Sequence, residues 1–140
     1  MIATETLSGP ETEGAEQPQI HFPTGLVGYP SAQWFVLDQG DGGVFELRGV
    51  DDDDPDFVVV APAPFFPDYA PVIDDETANK LGLRSQEDAL VLLVVTLREL
   101  PEDASANTLA PLIINARTRD ALQVVLTGQP FSLRQPLLAH

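Results

Sequence analysis

The chain has 140 residues, 44% of them apolar, and a formal net charge of −15 with a pI of about 4.1. That length and apolar share suit one domain with a packed core and argue against a disordered chain. The acidity argues against nucleic-acid phosphate or an anionic membrane as a direct partner and favours encounter with a basic protein, such as an RNA-binding one. With no cysteine, disulfides, thiolate zinc sites and a cysteine nucleophile are excluded.

Residues 1–18 read as a short strand, on the alternation of Ile2, Thr4 and Thr6, followed by a flexible acidic arm rich in Gly, Pro and Glu. This stretch has Glu5, Glu11, Glu13 and Glu16 and no basic residue, unlike a signal peptide. The longest apolar run, residues 89–95, is far shorter than the ~20 residues a membrane helix needs. A cytoplasmic protein is the expectation.

Residues 19–140 then read as one β-rich domain. Residues 19–22 form a short strand, and Pro23-Thr24-Gly25 and Gly28-Tyr29-Pro30 mark turns. Residues 34–37 are aromatic and β-branched. After the turn Gly40-Asp41-Gly42-Gly43, residues 44–50 alternate, so the two segments predict a hairpin. Asp51 to Asp54 is an acidic loop stopped by Pro55, and residues 56–61 form the next strand. That strand feeds residues 61–71, which hold four prolines and the aromatics Phe65, Phe66 and Tyr69. Each proline fixes φ, removes a donor and pushes its predecessor towards extended backbone, so a stiff extended edge is expected there.

One helix follows. Asp74 or Asp75 can cap it, Glu76 suits its first turn and Gly82 its end. Ser85-Gln86-Glu87-Asp88 predicts a further single turn. Residues 89–97 have no polar face and predict a strand buried on both sides. Residues 108–115 predict another, with Pro111 suggesting an edge or bulge. Arg117 and Arg119 fall at a turn, residues 121–126 form a last strand, and the tail from Phe131 crosses the domain. The sum is a mainly all-β fold, a small antiparallel barrel-like domain with one or two short helices.

Residues that carry chemistry are scarce. His21 and His140 lie near opposite ends, and no spacing supplies the three converging ligands of a metal site. Four adjacent aspartates do not match a calcium loop, which spaces its ligands and bends at a glycine. Gly40 to Gly43 lacks the lysine and helix of a phosphate loop. Seven basic residues form no stripe for a nucleic-acid backbone. Arg117 and Arg119 can hold a local carboxylate or serve in surface ion pairs. No cofactor is implied, and a binding protein fits better than an enzyme.

Several segments nevertheless match a family in order and spacing. They are residues 21–29, 34–37, 50–52, 57–59, 64–69, 87–92, 107–115, 123–126 and 133–137, with Pro64-Phe65-Phe66-Pro67-Asp68-Tyr69 the most distinctive run. From about Ile20 to Leu137 the chain resembles the flagellar assembly factor FliW family. The resemblance implies a non-enzymatic barrel-like protein that binds the dimeric translational regulator CsrA, away from its RNA groove, and relieves repression of flagellin mRNA. Flagellin competes for the factor, which makes a partner switch. Phe65 and Phe66 are then expected to fix a barrel end. The candidate partner contacts are Phe66, Asp68, Tyr69, Asp74, Asp75, Glu76, Asn107 and Asn115. The competing readings are a small β-barrel enzyme or ligand-binding module with a pocket under the Pro-rich segment, and a chaperone of flagellin alone.

Overall fold

Alternation along the strands decides what is buried. In the computed structural model, which describes residues 18–137, the first four strands run in chain order. They are β1 (Gln19–His21), β2 (Trp34–Gln39), β3 (Val44–Gly49) and β4 (Phe57–Val60). Helix α1 (Asp75–Leu81) and a 3-10 turn (Gln86–Asp88) come next. β5 (Ala89–Thr96), β6 (Ser105–Ala106), β7 (Leu112–Asn115), β8 (Ala121–Gln123) and β9 (Gln135–Pro136) complete the set. The two-residue strands β6 and β9 have no counterpart in the sequence reading, because two residues show no period.

The sheet is antiparallel, in the order β8-β7-β5-β4-β3-β2-β1, with β6 pairing both β5 and β9. Its ends meet. His21 donates its backbone N–H to the Arg119 carbonyl at 2.9 Å, and His21 bridges Asp120 beside β8. The barrel is therefore nearly closed, as the mainly-β expectation holds.

Its interior is filled by Ile20, Phe22, Phe35, Leu47, Val59, Leu92, Leu112, Ile114 and Ala121, contributed by strands all round the sheet. Phe22 meets Phe35 edge-on, with ring centroids 5.6 Å apart. β5 serves two cores at once. Leu92 faces the interior, and its neighbours Leu93 and Val95 join Val60, Ala104 and Ala106 in a second cluster on the opposite face. That is why this strand shows no polar side in the sequence.

Pro111 precedes β7 rather than lying within it, and β7 is an inner strand between β5 and β8. The edge or bulge expected from that proline does not occur. With no N–H to place, Pro111 still uses its carbonyl, which accepts from Val124 N–H at 3.0 Å. The acidic loop is tightly turned. Asp54 N–H bonds the Asp51 carbonyl at 3.0 Å, and Gly49 N–H bonds Asp56 Oδ1 at 3.0 Å. A Cβ on Gly49 would collide with the Asp54 Cβ, so only glycine lets the two backbones pass this closely. The strand expected at Ile2 to Thr6, the arm up to residue 17 and His140 lie outside the described residues.

Candidate protein-binding site

Residues 61–71 do not extend the sheet. Phe65 and Phe66 N–H groups both bond the Pro62 carbonyl, at 3.0 and 2.6 Å, and Tyr69 N–H bonds the Phe66 carbonyl at 3.0 Å. The prolines here make two successive turns, not the stiff extended edge that their φ restriction suggested. Phe65 and Phe66 accordingly cover the second core, on the outer face of β4 and β5, rather than an end of the barrel.

Tyr69 is locked in place. Its hydroxyl donates to the Thr108 carbonyl at 2.7 Å, and its ring meets Phe131 with centroids 4.8 Å apart. Burial pushes its pKa up to about 12. Beyond it, Val72 is held by both backbone polar groups: Gln129 Oε1 accepts its N–H at 3.0 Å, and Gln129 Nε2 donates to its carbonyl at 3.0 Å. The side-chain amide thus imitates a strand partner for a segment that has none.

Helix α1 starts on Asp74, whose Oδ1 accepts from Thr77 N–H at 2.8 Å. Hydrogen bonds from Thr77, from its side chain first and its backbone second, hold the Asp74 carboxyl below its ordinary range. Asp75 and Glu76 are exposed in the first turn, and Glu76 meets Lys80 at 3.4 Å. The helix ends at Gly82, whose φ of 68° is the left-handed conformation such a stop requires.

That end is gripped from the β7–β8 turn. Asn115 is wholly buried; its Nδ2 donates to the Leu81 carbonyl at 2.7 Å. Its Oδ1 accepts from Arg117 and Thr118 N–H at 2.8 and 3.2 Å. Arg117 adds a bond to the Gly82 carbonyl at 2.9 Å and an ion pair with Asp88 at 3.4 Å. Cations at a helix C-terminus suit its dipole. Asp88 Oδ2 also accepts from Arg84 N–H at 2.9 Å. Its carboxyl is held low by the Arg84 backbone hydrogen bond first, and by Arg117 as well.

The candidate contacts therefore divide. Asp68, Asp74, Asp75 and Glu76 are exposed on one stretch, with Phe66 and Tyr69 half-buried beneath it. Asn107 is half-buried, and its Oδ1 turns the chain by accepting from Ala110 N–H at 2.9 Å. Asn115 has no surface to present, and its place among the partner contacts is corrected to an internal one: every polar atom of its side chain serves the fold. Arg117 holds the local carboxylate that its turn position allowed. Arg119 lies apart from it, with φ at 65° and its carbonyl on His21. Gln129 was missed, since Gly128-Gln129-Pro130 reads only as a break.

A groove of about 580 Å³ runs beside the clamped segment. Val72, Ile73, Ala78, Leu83, Ala89 and Val91 are among its lining, and Arg84 is the one ionisable residue in it. No group of three His, Cys, Asp or Glu side chains is placed to hold a metal among the described residues. No helix among them is long and apolar enough to cross a membrane.

A family model described as FliW protein matches residues 3–137. The chain is 32% identical over 126 residues to the flagellar assembly factor FliW of Caldanaerobacter subterraneus, covering 88% of this chain and 84% of that one. It is 33% identical over 129 residues to the flagellar assembly factor FliW of Bacillus licheniformis, covering 91% and 90%. A crystal structure of the flagellar assembly factor FliW superposes with a TM-score of 0.82 at 28% identity, over 87% of this chain and 86% of the other. The chain belongs to the FliW family of flagellar assembly factors.

Proposed function

We propose that the chain is a non-enzymatic, cytoplasmic regulator of flagellar assembly that binds CsrA and relieves its repression of flagellin mRNA. Flagellin competes for the same protein. While flagellin accumulates it occupies the factor, and CsrA silences the message; once flagellin is exported, the freed factor captures CsrA.

The observation that carries this reading is a presented acidic surface. Asp68, Asp74, Asp75 and Glu76 stand exposed on a segment fixed beneath by Tyr69 and Gln129, in a FliW-family chain of net charge −15. A basic RNA-binding dimer is the electrostatic complement of such a surface. The mostly apolar groove, with Arg84 as its one ionisable lining residue, offers no acid–base pair, which favours binding over catalysis.

A competition assay with purified CsrA and flagellin tests it. Each is expected to displace the other. A stable complex of all three, or no binding of CsrA, overturns the switch, and binding of flagellin alone supports a chaperone instead. Association with CsrA is also expected to slow as salt rises, because exposed charges are screened beyond ~8–10 Å at physiological ionic strength.

A further inference from the structure

We infer that the groove between residues 70–73 and the start of β5 is the docking site for an apolar peptide segment flanked by lysine or arginine. The inference rests on the protein-binding reading above and says which surface and which chemistry that binding uses.

Val72 is the first reason. It is 68% exposed, yet its backbone is held on both sides by Gln129 at 3.0 Å. A free loop can turn a valine away from water. This one is kept out by hydrogen bonds whose partner is 57 residues away in the chain. An apolar side chain already fixed outward loses little further freedom when a partner covers it, so most of its burial appears as affinity.

The groove supplies the second. Val72 lines it together with Ile73, Ala78, Leu83, Ala89 and Val91, and its volume of about 580 Å³ suits inserted side chains. Its walls offer apolar contact along most of their length.

Charge selects the flanks. Residues 68–91 hold Asp68, Asp74, Asp75, Glu76, Glu87 and Asp88 against Lys80 and Arg84. Several of these acids are committed: Asp74 to the helix cap, Glu76 to Lys80 and Asp88 to Arg117. Asp68, Asp75 and Glu87 are exposed and in no ion pair among the described residues. In the chain, Asp68 and Asp75 bracket the lining residues 70–73, and Glu87 falls between the lining residues Gln86 and Ala89. Uncommitted carboxylates beside an apolar lining select cationic flanks on the segment that lies in it. Arg84 is the exception on the wall, and it makes the sign of the charge testable.

The test uses the full chain and two synthetic peptides with one leucine-rich centre, flanked by lysines in one and by glutamates in the other. The lysine-flanked peptide is expected to bind and the glutamate-flanked one to fail. V72S should weaken the lysine-flanked peptide about tenfold, the loss of one buried valine contact, with the melting temperature unchanged. R84E should strengthen it about threefold at low salt, by removing a like charge. Equal binding of both peptides, or a V72S protein that binds the lysine-flanked peptide like the parent, overturns the groove. CsrA separates the two claims. If CsrA binds the parent and V72S equally, the regulator reading stands and the docking site falls. If the peptide results hold but CsrA fails to bind the parent, the groove stands and the CsrA reading falls.

Discussion

The inside of the barrel and the layer laid over its outer face are held by different means. Inside, Phe22, Phe35, Leu47, Val59, Leu92 and Leu112 meet with no side-chain hydrogen bond among them, and the ladders satisfy the backbone. Outside, residues 61–83 have no ladder, and side-chain hydrogen bonds to and from distant segments hold them instead. Tyr69 reaches Thr108, Asn115 and Arg117 reach the end of α1, and Gln129 takes both polar groups of Val72. An irregular segment can be as fixed as a strand when polar side chains replace its missing partners. It can then carry exposed apolar and acidic groups in set positions, which a strand in a closed sheet cannot do so freely.

Substitutions on either side of this division should fail differently. The largest loss is expected inside. L92A removes a fully buried side chain and should cost about 2–5 kcal/mol in denaturant unfolding, with the transition still cooperative. N115A should follow at roughly 2–3 kcal/mol, because a buried carbonyl and two N–H groups lose their partner together. It should also loosen α1, seen as faster amide exchange at Gly82 and Leu83, whose N–H groups close the helix end. Faster exchange throughout the barrel strands would instead make Asn115 part of the core.

Y69F is expected to cost about 1 kcal/mol, the net worth of one hydrogen bond. Its pH dependence is more telling. The folded pKa of about 12 lies above the ordinary tyrosine value of 10.0, so the stability linked to the neutral phenol is fully present below pH 10. It is lost as the pH rises towards 12, where the unfolded chain gives up the proton first. The parent should therefore lose melting temperature between pH 10 and 12 more steeply than Y69F. Parallel profiles would mean that Tyr69 titrates as it does in water. At the acid end the sign reverses: Asp74 and Asp88 are held low, so their contribution is present at neutral pH and fades as the pH falls through their folded values.

The same division separates what could be read in advance. The alternation around Leu47, the unbroken apolar run of β5 and the capping pair Asp74 and Gly82 each announce a local structure, and each forms it. Burial period and cap chemistry are properties of neighbouring residues. The outer layer depends on pairs far apart: Tyr69 with Thr108, Asn115 with Leu81, and Val72 with Gln129 are 39, 34 and 57 residues apart. Nothing local to Gln129 marks it as a clamp. Proline misled for a related reason. Its fixed φ suits an extended edge and the first position of a turn equally, and the second core beneath Phe65 and Phe66 favoured the turns.

The smallest thermodynamic effect is expected for Q129A, and it bears most directly on the comparison. Val72 is exposed, so water can take over both hydrogen bonds, and global stability should change by less than about 0.5 kcal/mol. The loss should appear locally, as exchange of the Val72 amide roughly tenfold faster than in the parent. Partner binding should weaken as well, because the order that Gln129 supplies in the free protein must then be imposed during association. If exchange at Val72 does not change, Tyr69 and the helix cap already fix the segment from its two ends, and the exposed valine is held by chain geometry rather than by the distant amide. If exchange quickens while CsrA and the lysine-flanked peptide bind as before, the order of this outer segment is separable from recognition, and its carboxylates alone bring the partner in.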